Sequence, residues 1–381
     1  MEDVKSMIKI TFVETNCKRN GPIKQTLNII RYMDRTIFSP SLITIWPEEE
    51  NNTMLNEYKE LQVPVYCCGL SKIESIIKGK FEVTRLLKNI NPDIVQGVGM
   101  PPYRMTLGYK DAIHFITLRN YCYEDYPDQY AKGIGTVMAY WDMRLIHKQI
   151  KKGEPFVTCS KSLMDIYREK ENLQLSFIRN GVDISKYPKR VLEDKDNIRI
   201  SLGLPLRKTI FIYSGGLIER KNQREAIEGF LKMNNHQEAV LLLLGDGNDR
   251  KELESTYSSY ENIIFRGKVD NVCEYLQASD VYVSTSKSEG LPNGVLEAMS
   301  TGLPLLLSNI PQHIEVLEAG SNCGYSYQLG NAADLSNLFS RMLNEDLLKM
   351  GECSYQCVIN NFSAEIMSER YQSLFKLLKR E

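Results

Sequence analysis

Short apolar runs alternate with amphipathic stretches along the whole chain. The runs have the length and residue types of strands. Segments such as Ile23–Met33 and Gln223–Met233 have the apolar spacing of helices. This alternation predicts an α/β protein with parallel sheets covered by helices. The predicted strands are Ile8–Val13, Ser41–Trp46, Val63–Cys67, Asp93–Gly97, Ile113–Leu118, Pro155–Ser160, Leu175–Asn180, Thr209–Gly216, Ala239–Gly245, Asn262–Gly267, Asp280–Ser286 and Leu303–Asn309.

The strand–helix array occurs twice, which predicts two doubly wound, Rossmann-like domains. The polar stretch Ser185–Asn197 separates the two arrays and is typical of a linker. We therefore expect one domain over residues 1–190 and a second over residues 191–362. The part of the chain from Ala332 onward contains no strand candidate and is predicted to be helical.

Composition narrows the class of protein. The chain has 381 residues, of which 43% are hydrophobic and 25% charged, as in globular proteins. No apolar run approaches the ~20 residues of a membrane span, and the acidic start leads directly into a strand, unlike a signal peptide. Nine scattered cysteines without a C-x-x-C pair, and four histidines without an H-x-x-x-H pair, predict a cytoplasmic protein with no metal or cofactor.

The net charge of −1 hides an asymmetry between the two halves. Residues 1–190 hold 28 basic and 22 acidic side chains, giving +6, whereas residues 191–381 hold 19 and 26, giving −7. The basic half can face anionic lipids or an anionic acceptor, and Ile73–Ile90 and Met143–Gly153 are candidates for peripheral contact with the inner face of a membrane. The alternative is ordinary solvated charge. No basic stripe or known module indicates nucleic acid.

The segment Ser288–Met299 (SEGLPNGVLEAM) holds two glutamates around glycine and proline. A strand precedes it and a helix follows it, so it is a loop where open α/β sheets bind ligands. A helix start suits a phosphate, and Gly290 and Gly294 let the backbone approach one. Glu289 in the loop and Glu297 in the first helical turn can accept hydrogen bonds from sugar hydroxyls. The segment thus suggests a sugar-nucleotide site; the alternative is a solvated loop with a glutamate at a helix start.

Several motifs occur in the order found in one enzyme family. They are Cys159–Leu163 (CSKSL), Asn180–Asp183 (NGVD), Leu244–Glu254 (LGDGNDRKELE), Phe265–Asn271 (FRGKVDN) and Glu289–Glu297 (EGLPNGVLE). On these motifs the chain resembles the retaining, nucleotide-sugar-dependent glycosyltransferases of the GT-B fold, group 1 (family 4), from about Gly21 to Glu315. The resemblance implies two Rossmann-like domains facing across a cleft, with helix 363–381 crossing back onto the first.

The resemblance also implies roles for matching residues. Glu297 would bind the ribose of the donor, and Glu289 would lie beside the transferred sugar. Lys221 and Arg220 would stabilise charge on the leaving diphosphate, and Arg119 would face the donor sugar or its phosphate. The other implied donor-binding residues are Gly290, Leu291, Pro292, Asn293, Gly294, Gly215, Gly216, Lys268, Val269 and Gly21.

Two positions depart from the family pattern. Gly216 stands where the family has an arginine, and Arg220 is a candidate replacement from the next turn. Arg119 stands where many members have a histidine. The alternative to a donor contact for Arg119 is an ion pair with Glu124 or Asp125.

The implied reaction moves a hexose-type sugar from a nucleoside diphosphate, with UDP expected, to a glycan or lipid-linked acceptor in polysaccharide biosynthesis. The configuration of the transferred carbon would be retained without a metal ion. The second, acidic domain would bind the donor, and the first, basic domain would bind the acceptor. Because two family residues are missing, the alternative is a catalytically silent sugar-nucleotide-binding partner of another transferase.

Overall fold

The computed structural model describes residues 7–130 and 132–379, which form two compact units. Unit 1 holds the described residues up to Gly181 and from Ala364 onward, and unit 2 holds Val182–Ser363. The sequence-based division between residues 190 and 191 stays a prediction. Within the described ranges, no helix is both long enough and apolar enough to cross a bilayer.

Unit 1 is built on a seven-stranded sheet in the order β3-β2-β1-β4-β5-β6-β7, with every paired neighbour parallel. The chain moves from β1 to β2 and β3 on one side and then crosses to β4 on the other, so the sheet is doubly wound. Its strands are β1 Ile8–Glu14, β2 Phe38–Thr44, β3 Val65–Cys67, β4 Ile94–Gly97, β5 Ile113–Leu118, β6 Phe156–Thr158 and β7 Ser176–Phe177. Its helices, numbered in chain order, are α1 Gly21–Arg31, α2 Leu55–Glu60, α3 Lys72–Ile90, α4 Met100–Thr106, α5 Cys122–Gln129, α6 Lys132–Ile150, α7 Lys161–Glu171 and α16 Ala364–Leu378.

Helix α16 completes the core of unit 1. Tyr371 and Phe375 are buried against Phe115 of β5, with ring centroids 6.1 and 6.0 Å from the Phe115 ring in edge-on geometry. The Ser368 hydroxyl donates to the carbonyl of Ile29 in α1 at 2.7 Å. Since these aromatic rings bury large apolar areas, α16 is an integral part of unit 1.

Unit 2 is built on a six-stranded parallel sheet in the order β10-β9-β8-β11-β12-β13. Its strands are β8 Thr209–Ser214, β9 Ala239–Leu244, β10 Ile263–Gly267, β11 Val281–Ser284, β12 Leu305–Ser308 and β13 Gly324–Tyr327. Its α-helices are α8 Lys195–Leu202, α9 Gln223–Leu231, α10 Arg250–Tyr257, α11 Val272–Ala278, α12 Asn293–Ser300, α13 Pro311–Ala319, α14 Ala332–Met342 and α15 Leu347–Asn361. The prediction of an α/β fold with two doubly wound parallel sheets is confirmed.

Two details of unit 2 differ from the sequence prediction. The edge strand β13 was not predicted, because its sequence, GYSY, has no continuous apolar run and three of its four residues are partly exposed. Residues 185–197, predicted as a linker, belong to unit 2 and pack against it. The Arg190 side chain is buried and donates to the carbonyl of Ser279 at 2.8 Å, and Lys195 begins α8.

Candidate functional site

The carboxyl ends of β8 and β11 form the switch point of the unit 2 sheet. The chain runs from β8 to β9 and β10 on one side and then crosses to β11 on the other side of β8. The loops after β8 and β11 therefore diverge, and open α/β sheets bind ligands at such points. The first loop carries Arg220 and Lys221, and the second carries Glu289.

Arg220, Lys221 and Glu289 form one ion-pair cluster at this switch point. Lys221 Nζ lies 2.5 Å from Glu289 Oε1, and Arg220 Nη1 lies 3.2 Å from Glu289 Oε2. Arg220 Nη1 also donates to the carbonyl of Ser288 at 2.6 Å. The carboxylate is almost fully buried, whereas both cations keep part of their surface in solvent. The cluster therefore has a net positive charge that an anionic ligand can reach.

The two cations determine the protonation state of Glu289. Burial alone would raise the pKa of this carboxyl, but the charges of Lys221 and Arg220 outweigh burial and lower the pKa to about 2. Glu289 is therefore ionised at neutral pH. An ionised carboxylate accepts hydrogen bonds and has no proton to donate, so Glu289 suits hydroxyl recognition and not general acid catalysis.

Backbone contacts hold the two cations in place. The turn that carries them ends at Asn222, which has a left-handed conformation with φ 54°. The Tyr213 hydroxyl donates to the carbonyl of Lys221 at 2.8 Å, and the amide of Lys287 donates to the carbonyl of Arg220 at 2.8 Å. Because both strand-end loops contribute to these bonds, the cluster is organised by the fold itself.

Glu297 lies on α12, in the loop-to-helix segment that follows β11. The helix begins at Asn293, so Glu297 is its fifth residue, and the prediction that it lies in the first turn is wrong. Burial raises the pKa of the Tyr282 phenol, and the charges of Glu297 and Glu289 raise it further. Both glutamates therefore lie near one tyrosine of β11.

Gly294 has a packing role at the start of α12. A Cβ atom there would lie 2.4 Å from the Tyr282 hydroxyl and 3.1 Å from the carbonyl oxygen of Ser214. Only glycine lets α12 approach the ends of β8 and β11 so closely. Pro292 precedes the helix without a side-chain cap, which leaves the helix start suited to an anion.

The other predicted donor-binding residues of unit 2 fall into two groups. Those close to the cluster are in the loops after β8 and β11 or at the start of α12. Gly290, Leu291 and Pro292 are buried, and Gly215, Gly216 and Asn293 are half-buried. Lys268 and Val269 follow β10, which β9 separates from β8. Two strand spacings put them roughly 10 Å from the β8 end, so they do not join the ion-pair cluster.

Gly215 and Gly216 have different surroundings. A Cβ atom on Gly245, whose φ is 133°, would lie 1.8 Å from the Gly215 carbonyl oxygen, so the loops after β8 and β9 touch through their backbones. At Gly216 the nearest atom to an added Cβ is 3.7 Å away, and the backbone is not left-handed. Neither the backbone conformation nor the space at the Cβ position therefore excludes a side chain at position 216.

Arg119 and Gly21 belong to unit 1. Arg119 follows β5, and its Nη1 donates to Asn180 Oδ1 at 2.8 Å. Glu124, one of the two acidic residues considered as an alternative partner of Arg119, pairs with Lys170 at 2.6 Å. Gly21 is the first residue of α1, after the N-cap residue Asn20. Neither residue belongs to the ion-pair cluster of unit 2.

Sequence reasoning missed a buried carboxyl at the end of β1. Glu14 is fully buried, and the Tyr58 hydroxyl donates to its Oε1 at 3.2 Å. Burial raises the pKa of Glu14 to about 8, although hydrogen bonds from Thr26 and Tyr58 and the charge of Arg119 oppose the rise. The available signal was a single acidic residue directly after an apolar run, which is more often exposed.

His313, on α13, lies under the site. It is fully buried, and its Nδ1 lies 2.9 Å from Ser308 Oγ and 3.0 Å from the Ser308 carbonyl oxygen. Burial lowers the pKa of His313 to about 4, so the ring is neutral at pH 7. These contacts hold α13 against the end of β12. Among residues 7–130 and 132–379, no three histidine, cysteine or acidic side chains are grouped to hold a metal ion.

Comparison with solved structures defines the class of fold. Anabaena HepE in complex with UDP and glucose superposes with a TM-score of 0.78 at 16% identity, over 97% of this chain and 99% of that one. The two parallel sheets of seven and six strands are those of the GT-B fold. The family profile described as "Glycosyl transferases group 1" matches residues 194–356. Residues 194–356, most of unit 2, therefore belong to the group 1 glycosyltransferases, the family that the sequence resembles.

Two curated relatives extend the comparison. The N-acetyl-alpha-D-glucosaminyl L-malate synthase of Bacillus anthracis is 26% identical over 238 residues, and the match spans 61% of each chain. The UDP-Gal:alpha-D-GlcNAc-diphosphoundecaprenol alpha-1,3-galactosyltransferase of Escherichia coli is 24% identical over 408 residues, spanning 98% of each chain.

Proposed function

We propose that this glycosyltransferase moves a hexose-type sugar from a UDP-sugar to a glycan or lipid-linked acceptor, with retention of configuration. The observation that carries the proposal is the Arg220–Lys221–Glu289 cluster at the switch point of unit 2. A leaving nucleoside diphosphate gains negative charge in the transition state, and two fixed cations stabilise that charge. The names of two comparison proteins support the donor class, since one includes UDP-galactose and the other is a complex with UDP and glucose.

The two cations and the carboxylate of the cluster have different tasks in this mechanism. Lys221 and Arg220 contact the diphosphate, while the ionised Glu289 accepts hydrogen bonds from hydroxyls of the transferred sugar. The bond between the anomeric carbon and the diphosphate breaks, and the acceptor oxygen bonds to that carbon on the same face. The leaving phosphate takes the acceptor's proton, so the protein supplies no general base. Glu297 accepts hydrogen bonds from the ribose.

The acceptor class rests on the name of one relative, whose acceptor carries a diphosphoundecaprenol group. The rival function, a silent sugar-nucleotide-binding partner, rests on the glycine at position 216 and the absence of a histidine at position 119. The two functions differ in one observable. An enzyme releases UDP from a UDP-sugar in the presence of acceptor, whereas a silent partner binds UDP and releases none.

Glu297→Ala should weaken UDP binding by roughly 1–3 kcal/mol, because the ribose loses a charged hydrogen-bond acceptor. Calorimetric titration of UDP and GDP into both proteins, without added metal, measures the effect. Glu318→Ala is the matched control, since Glu318 is an exposed glutamate on α13 and its loss should leave the affinity unchanged. Equal UDP affinity in wild type and Glu297→Ala would contradict the proposed donor site.

Arg220→Ala should lower the rate of sugar transfer roughly tenfold, because one of the two cations facing the diphosphate is lost. Gly216→Arg in the same chain should recover part of that rate, since an added Cβ atom at position 216 would lie no closer than 3.7 Å to its nearest neighbour. Gly216→Ala with Arg220→Ala is the control that fills the space without charge. Steady-state rates of sugar transfer are measured for the wild type, Arg220→Ala and the two double variants. If Arg220→Ala alone keeps the full rate, Arg220 does not replace the family arginine.

A further inference from the structure

A hydrogen-bonded network of buried side chains connects helix α13 with the loop that carries Glu289. His313 lies on α13, Ser308 is the last residue of β12, and Ser286 follows β11. All three residues are fully buried. The Ser308 hydroxyl donates to the carbonyl of Ser286 at 2.7 Å, so a side chain joins the ends of two strands. Away from water, such groups keep their hydrogen bonds in one geometry, because an unpaired polar group is costly there.

The contacts of His313 determine which of its ring nitrogens carries the proton. Nδ1 lies 2.9 Å from Ser308 Oγ and 3.0 Å from the Ser308 carbonyl oxygen. The carbonyl can only accept a hydrogen bond, and the hydroxyl proton of Ser308 is already donated to Ser286. Nδ1 therefore carries the proton, and Nε2 holds a lone pair. Burial lowers the pKa of His313 to about 4, so the ring gains no second proton at neutral pH.

The other three of the four histidines have contacts that favour the opposite tautomer. The Nε2 atom of His114 lies 2.7 Å from a backbone carbonyl oxygen, and that of His147 lies 3.4 Å from a carboxylate oxygen. The Nδ1 atom of His236 lies 3.0 Å from a side-chain amide nitrogen, which donates to it. Since carbonyls and carboxylates accept and amide nitrogens donate, these rings carry the proton on Nε2. The tautomer of His313 is thus set by its own surroundings.

The network ends at the carboxylate of Glu289. Burial raises the pKa of Glu289, the charges of Lys221 and Arg220 lower it, and a hydrogen bond from the Ser286 side chain lowers it further. Beyond burial, which lowers the pKa of His313, the charges of Glu289 and Lys221 act on that ring with opposite signs. Ser286 therefore contacts Ser308 through its carbonyl and Glu289 through its hydroxyl, and the imidazole is within electrostatic reach of the ion-pair cluster.

We propose that His313 is a positioning residue, which holds Glu289 in place for sugar transfer. The Nδ1 proton fixes Ser308, and Ser308 fixes the backbone at Ser286, whose hydroxyl then meets the Glu289 carboxylate. The inference rests on the proposed role of Glu289 in binding hydroxyls of the donor sugar. A displaced carboxylate would bind them poorly, because hydrogen bonds weaken steeply away from their best distance and angle. The effect should fall on the sugar and not on the nucleotide, which other residues contact.

Donor turnover and UDP titration test the proposal. The reaction followed is release of UDP from UDP-galactose or UDP-glucose with water as acceptor, using the donor that the wild type turns over faster. His313→Leu keeps a side chain of similar size but leaves Ser308 without a donor, so kcat should fall about tenfold while UDP affinity stays unchanged. His313→Asn retains a donor close to the Nδ1 position and should recover most of the rate. His147→Asn is the matched control, since His147 lies on α6 of unit 1 and its loss should change neither quantity.

A double variant shows whether His313 acts through Glu289. In a Glu289→Gln protein the charged acceptor is already lost, so adding His313→Leu should lower kcat by no more than about twofold. Two effects that multiply in full would overturn the proposal, since His313 would then act independently of Glu289. Loss of UDP binding in His313→Leu would also overturn it, by showing a role in folding. Full kcat in Glu289→Gln would refute the proposed function of that carboxylate instead, so the two proposals fail separately.

Nitrogen-15 NMR of the histidine rings provides a readout that needs no substrate. At neutral pH one ring should show a protonated Nδ1 and an unprotonated Nε2, and this signal should be absent from His313→Asn. Glu289→Gln should shift the same signal, because the charge of Glu289 acts on the His313 ring. A proton on Nε2 of His313 would overturn the proposal, since Nδ1 would then have none to donate to Ser308.

Discussion

Replacing Lys221 by methionine should lower the rate of sugar transfer by about two to three orders of magnitude, because a fixed charge facing the leaving diphosphate is lost. The same change should destabilise unit 2 by roughly 3 kcal/mol, since it removes the cation closest to a buried carboxylate. Lys221 is the stronger of the two charges that lower the pKa of Glu289. Without it, Arg220 alone must balance the burial of that carboxylate.

A double variant separates the two effects of Lys221. Lys221→Met with Glu289→Gln removes the buried charge together with its partner, so stability should largely return while the rate of sugar transfer stays low. Hydrogen exchange of the β8 and β11 segments measures stability, because both tryptophans of the chain lie in unit 1. Lys287→Met is the control. Lys287 Nζ lies 3.5 Å from the exposed carboxylate of Glu219, and the loss of this lysine should change neither the transfer rate nor the stability of unit 2. A Lys221→Met protein that kept a tenth of the wild-type rate would refute the assigned role.

The stability of unit 1 should fall as the pH rises from about 4.5 to about 8, and Glu14→Gln should remove most of that dependence. Folding raises the pKa of Glu14 from 4.5 to about 8, mainly through burial. Between these values the folded state binds a proton that the unfolded state has released. The stabilising contribution is therefore complete below pH 4.5 and is lost as the pH passes 8. At about 1.4 kcal/mol per pH unit, the whole effect is roughly 5 kcal/mol.

Urea unfolding followed by tryptophan fluorescence measures this effect, since Trp46 and Trp141 both report on unit 1. The useful quantity is the difference between wild type and Glu14→Gln at each pH. His114 is buried with a lowered pKa and makes stability rise with pH below about 6.5, but it does so in both proteins and cancels. Parallel stability curves for the two proteins would show that Glu14 is not buried as a neutral acid.

The alternation of apolar runs and amphipathic stretches was sufficient to predict both sheets, because buried parallel strands consist of continuous apolar residues. Strand β9, Ala239–Leu244, is such a run and is fully buried. Edge strand β13 has no such apolar run, and it is recognised as a strand only from its pairing with β12. Boundaries near helix α12 also escaped prediction, which is why Glu297 was assigned to the wrong turn.

The site could be predicted only where residues close in sequence form it. The pairing of Lys221 with Glu289 joins two loops 68 positions apart, so no local pattern predicts it. Gly294 was predicted to admit a ligand, but the tyrosine against which it packs comes from β11. Similarly, Met143–Gly153 was chosen for its basic charge, whereas the exposed apolar residues of α6 begin at Ile134. Which side of a helix is covered depends on neighbours distant in sequence.

Unit 1 is assembled from two separate stretches of chain, with the whole of unit 2 between them. A ribosome therefore makes unit 2, one continuous stretch, before it makes α16. Unit 2 can fold as soon as it emerges, whereas the rest of unit 1 must wait with Phe115 uncovered until Tyr371 and Phe375 arrive. The usual order, in which the N-terminal part of a protein is finished first, is reversed in this chain.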